Sequence, residues 1–293
     1  MRIVFVGLPL AALLLIADGQ KVVLAGLRKG LTTGSRRLQR SIGHGRVVVD
    51  PHRDWNSFRH RLEELRADLL VSWFFTRQIP MSVIDACPRG GIGVHPSLLP
   101  RHRGPDPFFA AIDAGDRETG VSVHRLAESY DTGAIVAQRR IAIDSSWNAW
   151  KLARMLDRPS LALLRQVVRQ AREGAPLTGF VQNESEATQA AFPTEKDRLP
   201  DWTWPADAIV RRIRALSPNP GALVFSGDAA LIVTKAEVRS VHDVLRPGEV
   251  GIMDGVAVVR AADQGVALLQ AEVGGCRWGP EAIAHQITRS RRK

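Results

Sequence analysis

His95 is the residue of this chain best placed to move a proton. It closes the apolar part of Gly90–Gly104, G-G-I-G-V-H-P-S-L-L-P-R-H-R-G, where a short strand (Ile92, Val94) ends at an imidazole and a proline-bracketed turn follows. Histidine titrates near neutrality, and a strand end beside a loop is where scaffolds hold acid–base groups. The partner such an imidazole needs is a carboxylate, and Asp131 stands in a second loop, A-E-S-Y-D-T-G, between two β-rich runs. Taken singly, His95 reads as a half-buried histidine and Asp131 as a turn-capping aspartate. Glycines at 90, 91 and 93 let the first run approach something closely. Arg101 and Arg103, in the loop behind His95, carry the charge to hold an anionic tail, although a solvated loop arginine is the commoner case.

The elements that must position these residues alternate as in an α/β domain. Arg2–Val6 reads as a strand, Gly7–Pro9 as a turn, the stretch to Ala17 as a helix, and Lys21–Gly26 as the next strand. Residues 27–45, rich in Gly, Arg and Ser, read as a loop. Arg46–Val49 is a short strand, Trp55–Arg66 an amphipathic helix, and Asp68–Trp73 a buried parallel strand by its unbroken apolar run. Short helices follow at Met81–Ala86 and Pro107–Ala114, then strands at Thr119–Leu126 and Gly133–Ile143. This order predicts a twisted, largely parallel sheet. Its ligand belongs at the carboxyl ends of the strands, an edge shared by the loops after Trp73, around His95 and around Asp131. The opening V-G-L-P lacks G-x-G-x-x-G spacing, so no dinucleotide site is read from it.

Trp147–Arg172 predicts a long helix that Pro159 should kink or split. Polar residues dominate from Glu173 to Pro200, as in a linker. Order restarts at Asp201–Leu216, with Asp207 as a helix-cap candidate and Trp202 and Trp204 as interdomain packing. Short β-rich runs from Ala222 onward predict a small β-barrel. The division expected is a domain at 1–182, a linker at 183–203 and a smaller domain at 204–293.

A length of 293 residues supports two cores, and 45% apolar with 24% charged residues is ordinary for a globular protein. The net charge of +10 favours anionic ligands, while the Arg289–Lys293 tail reads as a solvated terminus. Cys87 and Cys276 lack CxxC spacing, which argues against a disulfide framework, a zinc site or any other metal centre. Ile3–Ala17 imitates a signal peptide, but Gly7 and Pro9 interrupt it and it is too short to span a bilayer. A cytoplasmic protein with no membrane partner is the expectation.

Three motifs, in order and spacing, resemble the folate-dependent formyltransferase family. They are V-H-P-S-L-L-P-R-H-R-G-P-D-P, A-G-D-R-E-T-G-V-S-V-H-R-L and Y-D-T-G-A-I-V-A-Q-R-R-I-A-I. The later D-W-T-W-P-A-D-A-I-V-R-R-I-R-A-L-S-P-N-P-G-A resembles the C-terminal domain of the longer members, which act on tRNA. The resemblance is weakest over residues 7–60. It implies a Rossmann-like N-terminal formyltransferase domain, an OB-like C-terminal domain, and 10-formyltetrahydrofolate as one-carbon donor. It gives the pterin site to the run Ser72–Gln78, largely through backbone groups, with Ser72, Trp73, Phe74, Phe75, Thr76 and Ile79 as its named residues, and Leu126 and Tyr130 join them as candidates. The three aromatic residues read equally as plain core. Ser97, Arg101 and Arg103 are the candidates for contact with the acceptor, read from the loop after His95 itself. S-W-F-F-T-R-Q-I-P and H-R-L…D-T-G-A-I-V-A-Q-R-R-I-A-I are closer to the aminoarabinose branch, which implies a small and anionic amine as acceptor. Lys29, Arg36, Arg37, Arg40 and Arg46 stand where the tRNA branch has a basic insertion, so tRNA is the lesser alternative.

Formyl transfer needs a base, a donor for the tetrahedral oxyanion, and a carboxylate to steady the base. The family pattern assigns these to an Asn-x-His pair and to the Asp of D-x-G. Here His95 takes the histidine role and Asp131 the aspartate role, but the asparagine position falls on Gly93. Losing such a donor costs about 10²–10³ in rate. The chain's asparagines are Asn56, Asn148, Asn183 and Asn219, none within a register shift of the site. Backbone N–H groups, an ordered water in the space left by Gly93, or a protonated His95 are the substitutes the sequence offers. The other readings are a diverged hydrolase, cyclase or one-carbon enzyme on the same scaffold, and a non-catalytic folate-binding protein.

Overall fold

The computed structural model describes residues 1–30, 33–226, 229–241 and 245–290. Its chain forms two compact units. The first comprises Met1–Pro105, Thr119–Ile141 and Met155–Gln189; the second comprises Asp106–Glu118, Ala142–Arg154 and the chain from Ala190 onward.

In the first unit the chain runs through β1 (Arg2–Gly7), α1 (Pro9–Ala17), β2 (Lys21–Leu27), α2 (Ser35–Ile42), β3 (Val47–Val49), α3 (Trp55–Glu64), β4 (Leu69–Trp73), α4 (Met81–Ile84) and β5 (Gly91–His95). After α5 (Pro107–Asp113), which belongs to the second unit, come β6 (Glu118–Arg125), β7 (Ile135–Ala142) and α6 (Ala149–Arg172). The strand order is β3-β2-β1-β4-β5-β6-β7, parallel from β3 to β5, with β6 antiparallel to β5. β1 and β4 are buried almost end to end, as a sheet covered on both faces requires. The order reverses between β1 and β4, where ligands of such sheets bind. Gly7 ends β1 at a left-handed φ of 135°, and any side chain there would strike the Trp73 carbonyl.

Two sequence expectations are corrected in this unit. The stretch read as a loop at 27–45 contains α2, which buries Ser35 and Leu38 and exposes Arg36, Arg37 and Arg40. Two apolar residues in eight, Leu38 and Ile42, give too short a pattern to read. Residues 31 and 32 of that stretch lie outside the described residues. Pro159 does not split α6, which is one helix from Ala149 to Arg172. The proline removes one backbone hydrogen bond, but Leu152 and Leu156 before it and Leu164, Val167 and Val168 after it are all buried.

The second unit contains α5, α7 (Ala206–Leu216), β8 (Ala222–Ser226), β9 (Ala229–Arg239), β10 (Val250–Met253), β11 (Val256–Arg260), β12 (Gly265–Val273), β13 (Cys276–Trp278) and α8 (Pro280–Ser290). Its antiparallel sheet, in the order β10-β11-β12-β9-β8 with β13 on β12, is a half-barrel of OB-like type. Ile209, Ile213 and Leu216 of α7 pack with Val233, Leu268 and Ile283 in its core. Asp207 does not cap α7. The first N–H, at Ala206, is taken by the Asp263 carboxylate, and Asp207 pairs with Arg211 one turn on. Trp202 packs on the core of this unit and Trp204 lies under the Arg212 guanidinium, so both make contacts within the unit. The expected solvated tail falls on residues 291–293, outside the described residues, apart from Arg289 and Ser290 in α8. Cys87 is buried, Cys276 exposed, and both are free thiols. No described helix is long and apolar enough to cross a membrane.

Candidate active site

The last residue of β5 is His95, and its ring is bracketed by two acceptors. Nε2 lies 2.7 Å from the His102 carbonyl, which can only accept, so Nε2 carries a hydrogen. That tautomer leaves Nδ1 with the lone pair, 3.4 Å from Asp131 Oδ2. The turn behind the strand supports the arrangement. The Ser122 hydroxyl donates to the Ser97 carbonyl and accepts from the Leu99 N–H, while the Gln138 amide donates to that hydroxyl and to the Leu99 carbonyl. His102 itself has a left-handed φ of 57°, and its N–H donates to Thr188 Oγ1.

Asp131 reaches this site by a route the sequence reading did not anticipate. Because β6 runs against β5, the loop after β6 leaves from the edge opposite His95. It folds back across the sheet face, and Asp131 returns to His95 with its Oδ2 accepting from the Gly104 N–H at 2.9 Å. Gly133, the glycine of D-T-G, is required because any β-carbon there would overlap the Arg125 carbonyl. The Gln182 amide donates to the Asp131 and Gly133 carbonyls, both at 2.7 Å, and fastens the loop.

The space beside Gly93 is filled. Gly93 pairs with His124 across the β5–β6 ladder, so their side chains share one face. A β-carbon at Gly93 would lie 2.9 Å from Leu126 Cδ2 and 3.3 Å from His124 Nε2. Gly91 makes way for Leu126 in the same manner. The close approach that the glycines allow is therefore to the chain's own β6. The His124 ring donates from Nδ1 to the Arg125 carbonyl at 2.8 Å and points Nε2 at Asp131 Oδ1, 3.6 Å away. One carboxylate thus faces two imidazoles, one on each oxygen. Burial pushes the His124 imidazole below the ordinary histidine range, with Asp131 pulling it up and the His95 ring pushing it down. His124 lies in the quoted run A-G-D-R-E-T-G-V-S-V-H-R-L, but sequence reasoning gave it no role, because nothing along the chain shows that it sits across the ladder from Gly93.

The remaining expected site residues divide. Ser72 and Trp73 are buried in β4, and the Trp73 indole donates to the Ser160 hydroxyl, so both are part of the scaffold. Phe74 and Phe75 are half-buried, with Phe74 at a left-handed φ of 53°, and Thr76 is exposed while Ile79 is buried. Gln78, the last residue of the expected Ser72–Gln78 run, donates to the Ala127 and Glu128 carbonyls and joins the loop after β4 to the loop after β6. Leu126 is half-buried between them, and Tyr130 is 54% exposed. Two of the expected substrate contacts are engaged within the chain. Ser97 is wholly buried with its hydroxyl on the Arg101 carbonyl. Arg103 is 3% exposed, with its guanidinium divided between Gln182 Oε1 and the Glu184 carboxylate. Arg101 is exposed beside them.

Comparison with known proteins bears on the family and the fold. Residues 49–168 match the family model described as formyl transferase, and residues 194–278 match that of the formyl transferase C-terminal domain. A methionyl-tRNA formyltransferase of Syntrophomonas wolfei is 35% identical over 180 residues, 61% of this chain and only 57% of that protein's length. Another, from Thiobacillus denitrificans, is 31% identical over 92% of this chain and 90% of its own. Among solved structures, an N-formyltransferase from Helicobacter canadensis, in complex with folinic acid and dTDP-3-aminofucose, superposes with a TM-score of 0.66 at 14% identity, covering 93% of this chain and all of that one. HypX from Aquifex aeolicus, in complex with tetrahydrofolic acid, gives 0.65 at 18% identity, covering 99% of this chain but 48% of its own.

Proposed function

We infer, from a chain that belongs to the folate-dependent formyltransferase family, that its reaction is transfer of a formyl group from 10-formyltetrahydrofolate to the amine of a small, anionic acceptor. The observation that carries this reading is the His95–Asp131 contact: Nδ1, the unprotonated ring nitrogen, faces a carboxylate that is itself fixed by the Gly104 N–H. His95 takes the proton released by the attacking amine, and Asp131 stabilises the imidazolium that results. The residues present fit the donor, which is a substrate of the reaction. Between β4 and α4 the chain leaves the ladder with half-buried Phe74 and Phe75 rings and joins the 126–131 loop through Gln78. Phe74, Phe75, Thr76, Ile79, Leu126 and Tyr130 are the residues that would hold it, and it supplies the formyl carbon.

An anionic acceptor is supported by the net charge of +10 and by the exposed Arg36, Arg37 and Arg40 face of α2. The inner motifs of β4 and β6–β7 favour an amino sugar or similar small amine over tRNA. Curated relatives named for methionyl-tRNA keep the larger acceptor as the competing arm of the test. Purified protein is given 10-formyltetrahydrofolate with amino-sugar nucleotides, amino acids or methionyl-tRNA in parallel. Tetrahydrofolate release that depends on a small amine supports the reading. Release only with methionyl-tRNA, falling steeply with salt, replaces it with tRNA formylation. The glycine at position 93 favours one second reading, a diverged reaction on the same scaffold, and formate release without any amine would identify it as hydrolysis.

A further inference from the structure

We propose that Thr188 is a positioning residue of this site, the far end of a clasp, Gln182–Thr188, that holds the His95 tautomer and the Asp131 carboxylate in one arrangement. The proposal rests on the formyl-transfer reading and deepens it. By composition the clasp reads as a linker, yet both of its ends are tied to the His95–Asp131 pair.

Thr188 grips the turn behind His95 at three points. Its Oγ1 accepts from the His102 N–H at 2.8 Å, and its carbonyl accepts from the Arg103 N–H at 2.9 Å. Its own N–H donates to the Pro100 carbonyl at 3.3 Å. The gripped turn offers the pair one acceptor and one donor. The His102 carbonyl lies 2.7 Å from His95 Nε2, and the Gly104 N–H donates to Asp131 Oδ2 at 2.9 Å. At the near end of the clasp the Gln182 amide holds the Asp131 and Gly133 carbonyls, both at 2.7 Å.

One peptide group carries the argument. The His102 carbonyl and the Arg103 N–H belong to the same planar unit, so they point in opposite directions. The N–H side meets the Thr188 carbonyl and the carbonyl side meets the His95 ring, a continuous row of hydrogen bonds. Bonds in such a row polarise one another, so the Thr188 carbonyl strengthens the acceptor that His95 meets. Rotation of this peptide would withdraw the acceptor. His102 stands at a left-handed φ of 57°, where a non-glycine residue has to be held by its surroundings. The Thr188 oxygen on the preceding N–H supplies that hold.

What the hold decides is where one hydrogen sits. A neutral imidazole has a single hydrogen and two nitrogens that can bear it. Facing the carboxylate alone, the His95 ring would turn that hydrogen toward Asp131 through Nδ1. The His102 carbonyl, at 2.7 Å against 3.4 Å for the carboxylate, draws it to Nε2 instead. The lone pair is then left on Nδ1, the nitrogen that takes the proton of the attacking amine. Thr188 acts through the peptide, and the peptide acts on the ring.

Nitrogen-15 NMR of the His95 side chain, on the full chain without substrate and at a pH where the ring is neutral, reads the tautomer directly. Wild type is expected to carry the hydrogen on Nε2. In Thr188→Val, which removes the oxygen and keeps the volume, a share of it should move to Nδ1. Thr188→Ser, which keeps the oxygen, should retain the wild-type tautomer. If the valine variant does not fold, Thr188→Ala removes the same oxygen without new bulk and is judged by the same signal. Kinetics use 10-formyltetrahydrofolate with dTDP-3-aminofucose and with methionyl-tRNA. The valine variant should lose kcat on the order of 10²-fold at an unchanged KM for the donor, as a misplacement of about 1 Å would cause, and the serine variant should keep most of the rate. A wild-type tautomer in the variants lacking the oxygen overturns the proposal, whatever their melting temperature. The same tautomer with tetrahydrofolate release abolished in His95→Ala overturns the clasp and keeps the formyl-transfer reading. A shifted tautomer with release unaffected by His95→Ala supports the clasp and overturns that reading instead.

Discussion

Replacing Arg103 by alanine separates a substrate-binding arginine from a scaffold arginine. Its guanidinium donates from Nε and Nη2 to Gln182 Oε1 at 3.0 and 2.8 Å, and from Nη1 and Nη2 to Glu184. Gln182 in turn donates to the Asp131 and Gly133 carbonyls, so Arg103 holds the group that holds the Asp131 loop. The Glu184 side chain is 71% exposed and its ion pair is screened, so Glu184→Gln should leave the melting temperature close to wild type. The damage in Arg103→Ala comes from Gln182, which is buried and loses both donors to its oxygen. A stranded buried acceptor costs about 1–3 kcal/mol. In a chain of this size each kcal/mol lowers the melting temperature by about 2–4 °C. Loosening the loop also moves Asp131 off His95, and a misplacement of about 1 Å costs on the order of 10² in rate. The expected result is a lower melting temperature with a fall in kcat and an unchanged KM for the acceptor, read by calorimetry and steady-state kinetics. A wild-type melt with a raised acceptor KM would refute this reasoning and return Arg103 to the substrate.

Three further outcomes follow from single contacts. Gly133→Ala forces a β-carbon onto the Arg125 carbonyl, so it should lower both the melting temperature and kcat, checked by the same pair of measurements. Cys87, its thiol pushed up to about 12 by burial and by Asp68, should resist a thiol reagent in the native protein while exposed Cys276 reacts; mass spectrometry should count one adduct before denaturation and two after. His124 is held below the ordinary histidine value, so the unfolded chain binds its proton at a pH where the folded chain does not. That contribution to stability is present above about pH 6.5 and is lost as pH falls through the folded value. Urea titrations across that range should show stability declining toward acid in wild type and declining less in His124→Asn.

Legibility in the sequence followed the length scale of the interaction. The strand from Asp68 to Trp73 and the one closing at His95 declare themselves by local apolar runs, and the structure has them at Leu69–Trp73 and Gly91–His95. Asp131 and its glycine are legible as a pair because the steric demand at Gly133 leaves only one residue type. Helix α2 is not legible, since it buries little beyond Leu38 and its arginines imitate a loop. The role of Arg103 is hidden for another reason. Its partners Gln182 and Glu184 lie 79 and 81 residues away, in a stretch whose polar composition reads as a linker. Composition records that such residues avoid an apolar core; it does not record that they satisfy one another.

Position 93 is where reading along a strand and reading across it give different chemistry. Along β5, glycine in place of asparagine is a lost donor and a broken signature. Across the ladder it is the complement of His124, because a side chain on Gly93 and the His124 ring compete for one volume. A carboxamide donates at every pH, whereas an imidazole in that volume donates from Nε2 only when charged, its Nδ1 hydrogen being committed to the Arg125 carbonyl. Packing across the ladder is what glycine at 93 serves. It also accounts for the neighbouring glycine. Leu126, just past the end of β6, would lie 2.8 Å from a β-carbon at Gly91 and 2.9 Å from one at Gly93, nearer there than His124 Nε2 at 3.3 Å. The pair of glycines on β5 and the facing side chains of His124 and Leu126 are one packing arrangement, so an asparagine at 93 has to displace Leu126 before it can reach the site.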